Sequence, residues 1–410
     1  MCIRDSTMSE SILNHFKDLK SKGLNIDITR GKPDSSQLDL SNKLLEMNVE
    51  PITDDGVDLR NYGEPSGIKA ARELGASLLD APMENIIAGE QSSLLLSYQT
   101  ILAHYIHGKP SSWKSLEKPK FICPVPGFDR HFRIFDDFDI EVITVPLIED
   151  GVDLAKLKNV LDENQNVMGI ICVPRHSNPS GEVYTDENIN GIFSIGKAYS
   201  DKFLFLFDHA YLIHDFLPTK KQTPTWQLAL NKNTNNQTVI VTSFSKVTFG
   251  GGGLSFLAAD GDNLDLIKKT RLSMVICPDK INQQRHVDLF KNKEDIESHM
   301  KKHANLIRPK FETSYEILGS ISDDYGTFSK PTGGYFITYK TSKPIASEVI
   351  ELCSVLGVSL TPAGATFPNS NDPNNNIIRI APTFIDEDEL KIAMDVFITS
   401  VQVAHLGLKT

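Results

Sequence analysis

Short apolar runs alternate with amphipathic stretches from about Asn85 to Asp260, and this rhythm predicts strands and helices in turn. The strands are expected at Phe121 to Pro124, Glu141 to Val145, Val167 to Val173, Phe203 to Phe207 and Thr238 to Thr242. Phe203-Leu204-Phe205-Leu206-Phe207 is apolar at every position, as a strand covered on both faces must be. Such alternation implies an α/β fold whose mostly parallel sheet is wrapped by helices. The charged stretch Lys291 to Lys310 reads as a long helix leaving that layer. Gly333-Gly334-Tyr335-Phe336-Ile337 and Ile377-Ile378-Arg379-Ile380, in the last hundred residues, predict a smaller α+β unit. The Asn-rich patches at Asn231 to Asn236 and Asn369 to Asn376 read as loops.

Chemistry-bearing residues stand where these strands end. Val239-Ile240-Val241 runs into Thr242-Ser243-Phe244-Ser245-Lys246, with Gly250 to Gly253 close behind. A lysine desolvated at a strand end loses its proton more readily and becomes a nucleophile toward an aldehyde. Asp208 ends the phenylalanine-rich strand, where open α/β sheets bind ligands, and can face a cationic ring nitrogen or cap the following helix. Val167 to Pro174 leads into Ser177-Asn178-Pro179-Ser180-Gly181, a turn in which the residue before proline is held extended. The four glycines after Lys246 lack the lysine and hydroxyl order of a P-loop.

These segments, in this order, resemble the fold type I pyridoxal-phosphate enzymes, and specifically the class I aminotransferases. The match comprises Asn178, then Asp208 with Tyr211 three residues on, then Ser243 to Lys246, then Arg379 in Ile378-Arg379-Ile380-Ala381-Pro382. Arg30-Gly31-Lys32-Pro33, Asn61 to Gly67, Cys123 to His131 and Ser329 to Phe336 are further similar to the divergent bacterial subgroup of aspartate aminotransferases. The resemblance implies a large cofactor-binding domain over 60–300 and a small domain over 301–410, completed by 8–59.

The resemblance also implies roles. Lys246 would hold pyridoxal 5'-phosphate covalently and move the proton between substrate and cofactor. Asp208 would keep the pyridine nitrogen protonated, Asn178 and Tyr211 would hydrogen-bond the ring hydroxyl, and Phe128 would stack on the ring. Ser243 and the backbone at Gln91 and Ser92, opening a helix near Leu94, would bind the phosphate. Tyr62 would reach the phosphate of a neighbouring subunit, making a homodimer with shared sites. Arg379 would clamp the substrate carboxylate, with Gly31 bringing backbone and Asn178 a side chain close to it. Leu254 stands where most class I enzymes carry a phosphate-binding arginine, and Thr248 is a candidate to compensate. Lys32, Arg130 and Arg175 are candidates to read a side-chain carboxylate.

Composition narrows the reading. A chain of 410 residues with 40% hydrophobic content can bury a large core and form two domains. A formal charge of −11 argues against nucleic acid or an anionic membrane as partner, whereas the resemblance implies amino acids and 2-oxo acids. No apolar stretch approaches the roughly 20 residues of a membrane span. Five scattered cysteines with no paired spacing point to reduced thiols in a cytoplasm. Met1 to Thr7 lack the apolar core of a signal peptide and read as a leader or a sequence artefact ahead of Met8. His299 and His303, four apart on the expected helix, have metal-ligand spacing, but the lysines between them favour a solvated face. His104 and His107 read as core or helix-end residues, and no metal is expected.

The functional expectation is transfer of the amino group of aspartate to 2-oxoglutarate in two half-reactions. Another amino-acid transaminase or a β-lyase stands as the alternative, and a non-catalytic cofactor-sensing protein as a third reading.

Overall fold

The computed structural model describes residues 3–410, so Met1 and Cys2 of the expected 1–7 leader lie outside the described residues. Its main sheet has eight strands in the spatial order Ile86–Ala88, Ser255–Ala259, Thr238–Ser243, Leu204–Asp208, Val167–Cys172, Lys120–Val125, Glu141–Ile148, Gly151–Val152. The five strands from Thr238–Ser243 to Glu141–Ile148 run parallel, and Ser255–Ala259 and Gly151–Val152 pair antiparallel to their neighbours. The mostly parallel sheet expected from the alternation is present, longer by a residue or more at several strand ends.

Strand periodicity explains how this sheet divides its surroundings. Phe203, Phe205 and Phe207 enter one apolar core, while Leu204 and Leu206 enter the core on the opposite face. Ile240 and Phe256 join the first, and Val239, Val241 and Leu257 the second. Each such side chain removed from water stabilises the fold by about 1.5–3 kcal/mol. The continuous apolar run at Phe203 to Phe207 is the direct consequence of helices on both faces.

A third core lies beyond the sheet. It holds Ile337, Tyr339, Ile378 and Ile380 of the antiparallel sheet Gly326–Phe328, Ile337–Thr341, Ile377–Ile380. The helices Ala346–Val355 and Glu387–Leu406 pack there, as do Ile12, Phe16, Leu19, Ile26 and Ile28 from the beginning of the chain. Ile26 and Asp27 pair in parallel with Val358 and Ser359. The helix Lys293–Leu318 bridges the cores, since Ile296 and Met300 face the first and Ile307, Phe311 and Leu318 the third.

One expectation about histidines is corrected by the fold. His299 and His303 are buried, not solvated, because their helix crosses beneath the Lys246 turn and must supply polar groups to it. No group of three His, Cys, Asp or Glu residues that could hold a metal ion exists among the described residues. His104 is a core residue stacked on Trp113 at 4.8 Å, and burial pushes its pKa down to about 4, so it carries no charge for a helix end.

One buried ion pair ties the sheet's helices together. Arg271, 2% exposed, ends the helix Gly261–Arg271 and donates to Glu90 Oε2 at 3.0 Å, to Gln99 on the helix Ser93–His107, and to the Pro65 carbonyl. Removing one member of a buried pair strands the other charge. Arg271→Ala is therefore expected to lower the unfolding free energy in urea by about 3–5 kcal/mol. A loss below about 1 kcal/mol would show that water replaces the guanidinium at no cost.

Candidate active site

The carboxyl ends of three neighbouring parallel strands open into a cavity of about 670 Å³. Asp208 ends one strand, Ser243 ends the next, and Val173 follows the third. The opposite wall comes from the third core's segments: Thr29 to Lys32, Phe336, Thr361 and Arg379. The cavity thus lies where a ligand would meet both parts of the molecule.

Lys246 sits in a single turn after Ser243, its ammonium 5.1 Å from the Tyr211 ring centroid. Burial holds its pKa below the ordinary lysine value, and the Asp208 charge partly restores it. Asp208 is 2% exposed. Its Oδ2 pairs with His131 Nε2 at 2.9 Å, while its Oδ1 is buried with no hydrogen-bond partner. A buried carboxylate oxygen left unpaired is rare and points to a missing donor. Burial also raises the Tyr211 hydroxyl well above its usual range, so it is a donor at neutral pH.

Arg379 projects from the strand Ile377–Ile380 and is 8% exposed. Its guanidinium donates to Thr361 Oγ1 at 3.2 Å, Asn178 Oδ1 at 3.2 Å and the Thr29 carbonyl at 3.4 Å. Asp129 Oδ1 lies 3.9 Å away and the Phe336 ring 4.8 Å beneath it. These contacts fix its fork, the geometry a carboxylate needs for two parallel hydrogen bonds.

A phosphate cradle is assembled from backbone and hydroxyls. Ser92 caps the helix Ser93–His107 by accepting from the Leu95 amide, one residue earlier than the expected start near Leu94. The free amides of that first turn adjoin Ser243 and Ser245, whose hydroxyls lie 3.0 Å apart. A helix start with adjacent hydroxyls suits a phosphate. The donor set therefore fits pyridoxal phosphate: a lysine amine, an unpaired buried carboxylate oxygen, and an anion cradle around one cavity.

Of the residues expected from sequence, Lys246, Asp208, Tyr211, Asn178, Phe128, Ser92, Ser243, Gly31 and Arg379 all line this cavity. Gln91 does not. Its carbonyl accepts from Ser245 Oγ at 2.8 Å, so it braces the cradle through backbone. Tyr62 is 76% exposed and lines no wall of its own chain's cavity. Gly31 has a packing reason in addition to access, since a Cβ there would lie 2.6 Å from the Phe336 ring.

Thr248 does not compensate for Leu254. It is fully buried and hydrogen-bonds the Phe244 carbonyl and His286. Arg175 faces away, held by Asp215 at 3.1 and 2.6 Å and lining a separate cavity of about 450 Å³. Lys32 lies 4.1 Å over the Phe384 ring and Arg130 lies 3.7 Å from Asp129, both at this cavity with Arg30.

Sequence reasoning missed His131, the partner that orients Asp208. Its signal was a histidine two residues past Asp129 at the start of a helix following a buried strand. Thr361 and Ser245 also serve the site, and Thr361 had no signal because its role depends on a fold-back of more than a hundred residues.

The aspartate amino-transferase family model matches residues 5–409. An aspartate aminotransferase of Corynebacterium glutamicum is 37% identical over 403 residues, covering 96% of this chain and 93% of the relative. The crystal structure of an aspartate transaminase from Corynebacterium glutamicum superposes with a TM-score of 0.93 at 36% identity, covering 98% of this chain and 96% of that one. A kynurenine aminotransferase of Pyrococcus horikoshii, crystallised with PMP, shares the fold at a TM-score of 0.76 and 16% identity, with 97% and 95% coverage. With a matched family model spanning nearly its whole length and a buried lysine, aspartate and arginine around one cavity, this chain belongs to the aspartate amino-transferase family.

Proposed function

We propose that this aminotransferase binds pyridoxal 5'-phosphate in the cavity and moves the amino group of L-aspartate to 2-oxoglutarate. The observation that carries this reading is the shared cavity of Lys246, the unpaired Asp208 Oδ1 and Arg379. The name of the Corynebacterium glutamicum relative supports the choice of substrate. When bound, pyridoxal phosphate supplies an aldehyde and an electron-withdrawing ring.

Lys246 Nζ would hold the cofactor at that aldehyde and would accept and return the substrate α-proton. Its burial favours the neutral amine these tasks need. Asp208 Oδ1 accepts from the protonated ring nitrogen, with His131 holding the other oxygen in place. Tyr211 and Asn178 donate to the ring hydroxyl, and Phe128 packs against the ring. Ser92, Ser243 and Ser245 would hold the phosphate, with the Gln91 carbonyl bracing Ser245 and Tyr62 of a second copy added from outside. Arg379 takes the α-carboxylate through its fork, beside Asn178 and the Gly31 backbone.

We also read the chain as two domains, 60–300 and 8–59 with 301–410, on the strength of their separate apolar cores. A homodimer is proposed from the surface: Tyr62, Leu272, Met274 and Ile276 are 76%, 65%, 47% and 65% exposed. Lys280 draws the Tyr62 loop to the segment beyond Ile276 by donating to the Asp58 and Tyr62 carbonyls. Apolar exposure of this kind marks an interface. Cytoplasmic location is proposed from the free thiols at Cys123, Cys172, Cys277 and Cys353. No helix among the described residues is long and apolar enough to cross a membrane.

Purified protein loaded with cofactor should convert L-aspartate and 2-oxoglutarate to oxaloacetate and glutamate, assayed by coupled malate dehydrogenase. Arg379→Met should lower kcat/KM by about 10²-fold for every amino donor through loss of the carboxylate fork. Absence of both products from loaded protein would remove the substrate assignment, and release of hydrogen sulfide, ammonia and pyruvate from L-cysteine would replace it with a lyase. In light scattering, the protein should run as twice the chain mass, and Ile276→Glu with Leu272→Glu should shift it toward one chain mass. A monomer before substitution would refute the shared-site reading of Tyr62.

A further inference from the structure

The turn that carries Lys246 cannot satisfy its own backbone. The Val247 and Thr248 amides both donate to the Phe244 carbonyl, at 3.0 and 2.9 Å, closing one helical turn that goes no further. The carbonyls of Lys246 and Val247 must then find donors elsewhere in a buried setting. Tyr335 supplies one, its hydroxyl lying 3.4 Å from the Lys246 carbonyl. Val247 faces His299 Nε2 at 2.8 Å and the Ser41 hydroxyl at 3.5 Å.

Behind these donors runs a buried chain. Gln37 Nε2 lies 2.8 Å from the Tyr335 hydroxyl and 3.1 Å from His303 Nδ1, and His303 Nε2 lies 3.1 Å from His299 Nε2. Gln37, His303 and Tyr335 are each 1% exposed. The histidine pair whose spacing suggested a metal is spent on this network.

The direction of each hydrogen bond follows from one helix end. Gln37 is the third residue of the short helix Ser35–Asp39, and its Oε1 accepts from the Asp34 amide at 3.3 Å while Asp34 Oδ1 accepts from the Gln37 amide at 2.8 Å. This capping box commits the Gln37 oxygen outward. Its nitrogen faces the core, and the two hydrogens go to His303 Nδ1 and the Tyr335 oxygen. Having accepted, the Tyr335 hydroxyl directs its own hydrogen to the Lys246 carbonyl. His303, kept neutral by burial that pushes its pKa down to about 4, carries its hydrogen on Nε2, which faces the Val247 peptide. His299 Nε2 donates to the Val247 carbonyl at 2.8 Å, with the Ser41 hydroxyl beside it.

We propose that Gln37 and Tyr335 are positioning residues for Lys246, linking the amino-terminal loop of Gly31 and Lys32 to the lysine's own peptide through hydrogen bonds that all point one way. The inference rests on Lys246 being the functional lysine. Asp34 anchors the far end, its Oδ2 held by the Lys310 ammonium at 2.6 Å, and Lys310 also donates to the Thr383 carbonyl. Thr383 Oγ1 in turn donates to the Lys32 carbonyl at 2.9 Å. His214, the other titratable group packed here, lies edge-on to Tyr335 at 5.8 Å and faces the Lys246 backbone without closing a direct hydrogen bond to it. Loss of the chain would let the Lys246 peptide turn and shift its amine relative to Asp208, without touching Arg379.

Tyr335→Phe keeps the ring and removes the donor. It should lower kcat by about tenfold while KM for the amino donor stays within about twofold, since misplacing a reacting group costs rate more than binding. In cofactor-free protein, the pH of half-maximal acylation of Lys246 by acetic anhydride should move by about 0.5 unit or more. Gln37→Glu is nearly the same shape but cannot donate, so it draws the Tyr335 hydrogen away from Lys246 and should reproduce both effects. If Tyr335→Phe does not fold, Gln37→Glu carries the test. An unchanged midpoint together with kcat within about twofold of the parent would overturn the proposal. Failure of the functional reading would appear separately, as a parent protein that forms no transamination product, while the acylation midpoint still decides the positioning role.

Discussion

A cationic side chain and an anionic one, Lys246 and Asp208, are sunk at the ends of adjacent strands without neutralising each other by direct contact, and the rest of the molecule accommodates that cost. Burial disfavours the charged form of the lysine. Lys246 responds with a depressed pKa. Asp208 is held by His131 on one oxygen only. Two helix-covered cores supply the stability that permits such a site, because parallel strands buried on both faces present their carboxyl ends together without tolerance for displacement.

The second requirement is that groups distant in sequence converge on the same cavity. Arg379 comes from the last strand of the smaller sheet, Gly31 from the beginning of the chain, and both meet Asn178 from the large sheet. The helix Lys293–Leu318 makes this convergence rigid by contributing to two cores and to the polar network beneath Lys246. Arg379 and Lys246 are thus connected through packed elements, although more than a hundred residues separate the two side chains.

What could be read from sequence follows a physical boundary. Strands such as Phe203 to Phe207 were legible because burial on both faces leaves an unbroken apolar run, and Asp208 and Lys246 because each interrupts or ends such a run. The motif order and family resemblance then supplied Arg379, Asn178 and Tyr211. His299 and His303 were misread because local pattern shows only lysine neighbours, whereas their environment is set by a turn some fifty residues earlier. Thr248 and Arg175 were similarly invisible as partners of His286 and Asp215, since hydrogen-bond commitments across elements leave no periodic trace. Tyr62 differs again: its ring is exposed and lines no wall of its own chain's cavity.

The central claim is that the amine of residue 246 is the one group on this chain that bonds covalently to pyridoxal phosphate. Borohydride reduction of the cofactor-loaded protein, followed by proteolysis and mass mapping, tests it most directly. A single phosphopyridoxyl-modified peptide carrying Lys246 is expected. A reduced adduct on any other lysine, or none in protein shown to contain the cofactor, would contradict it.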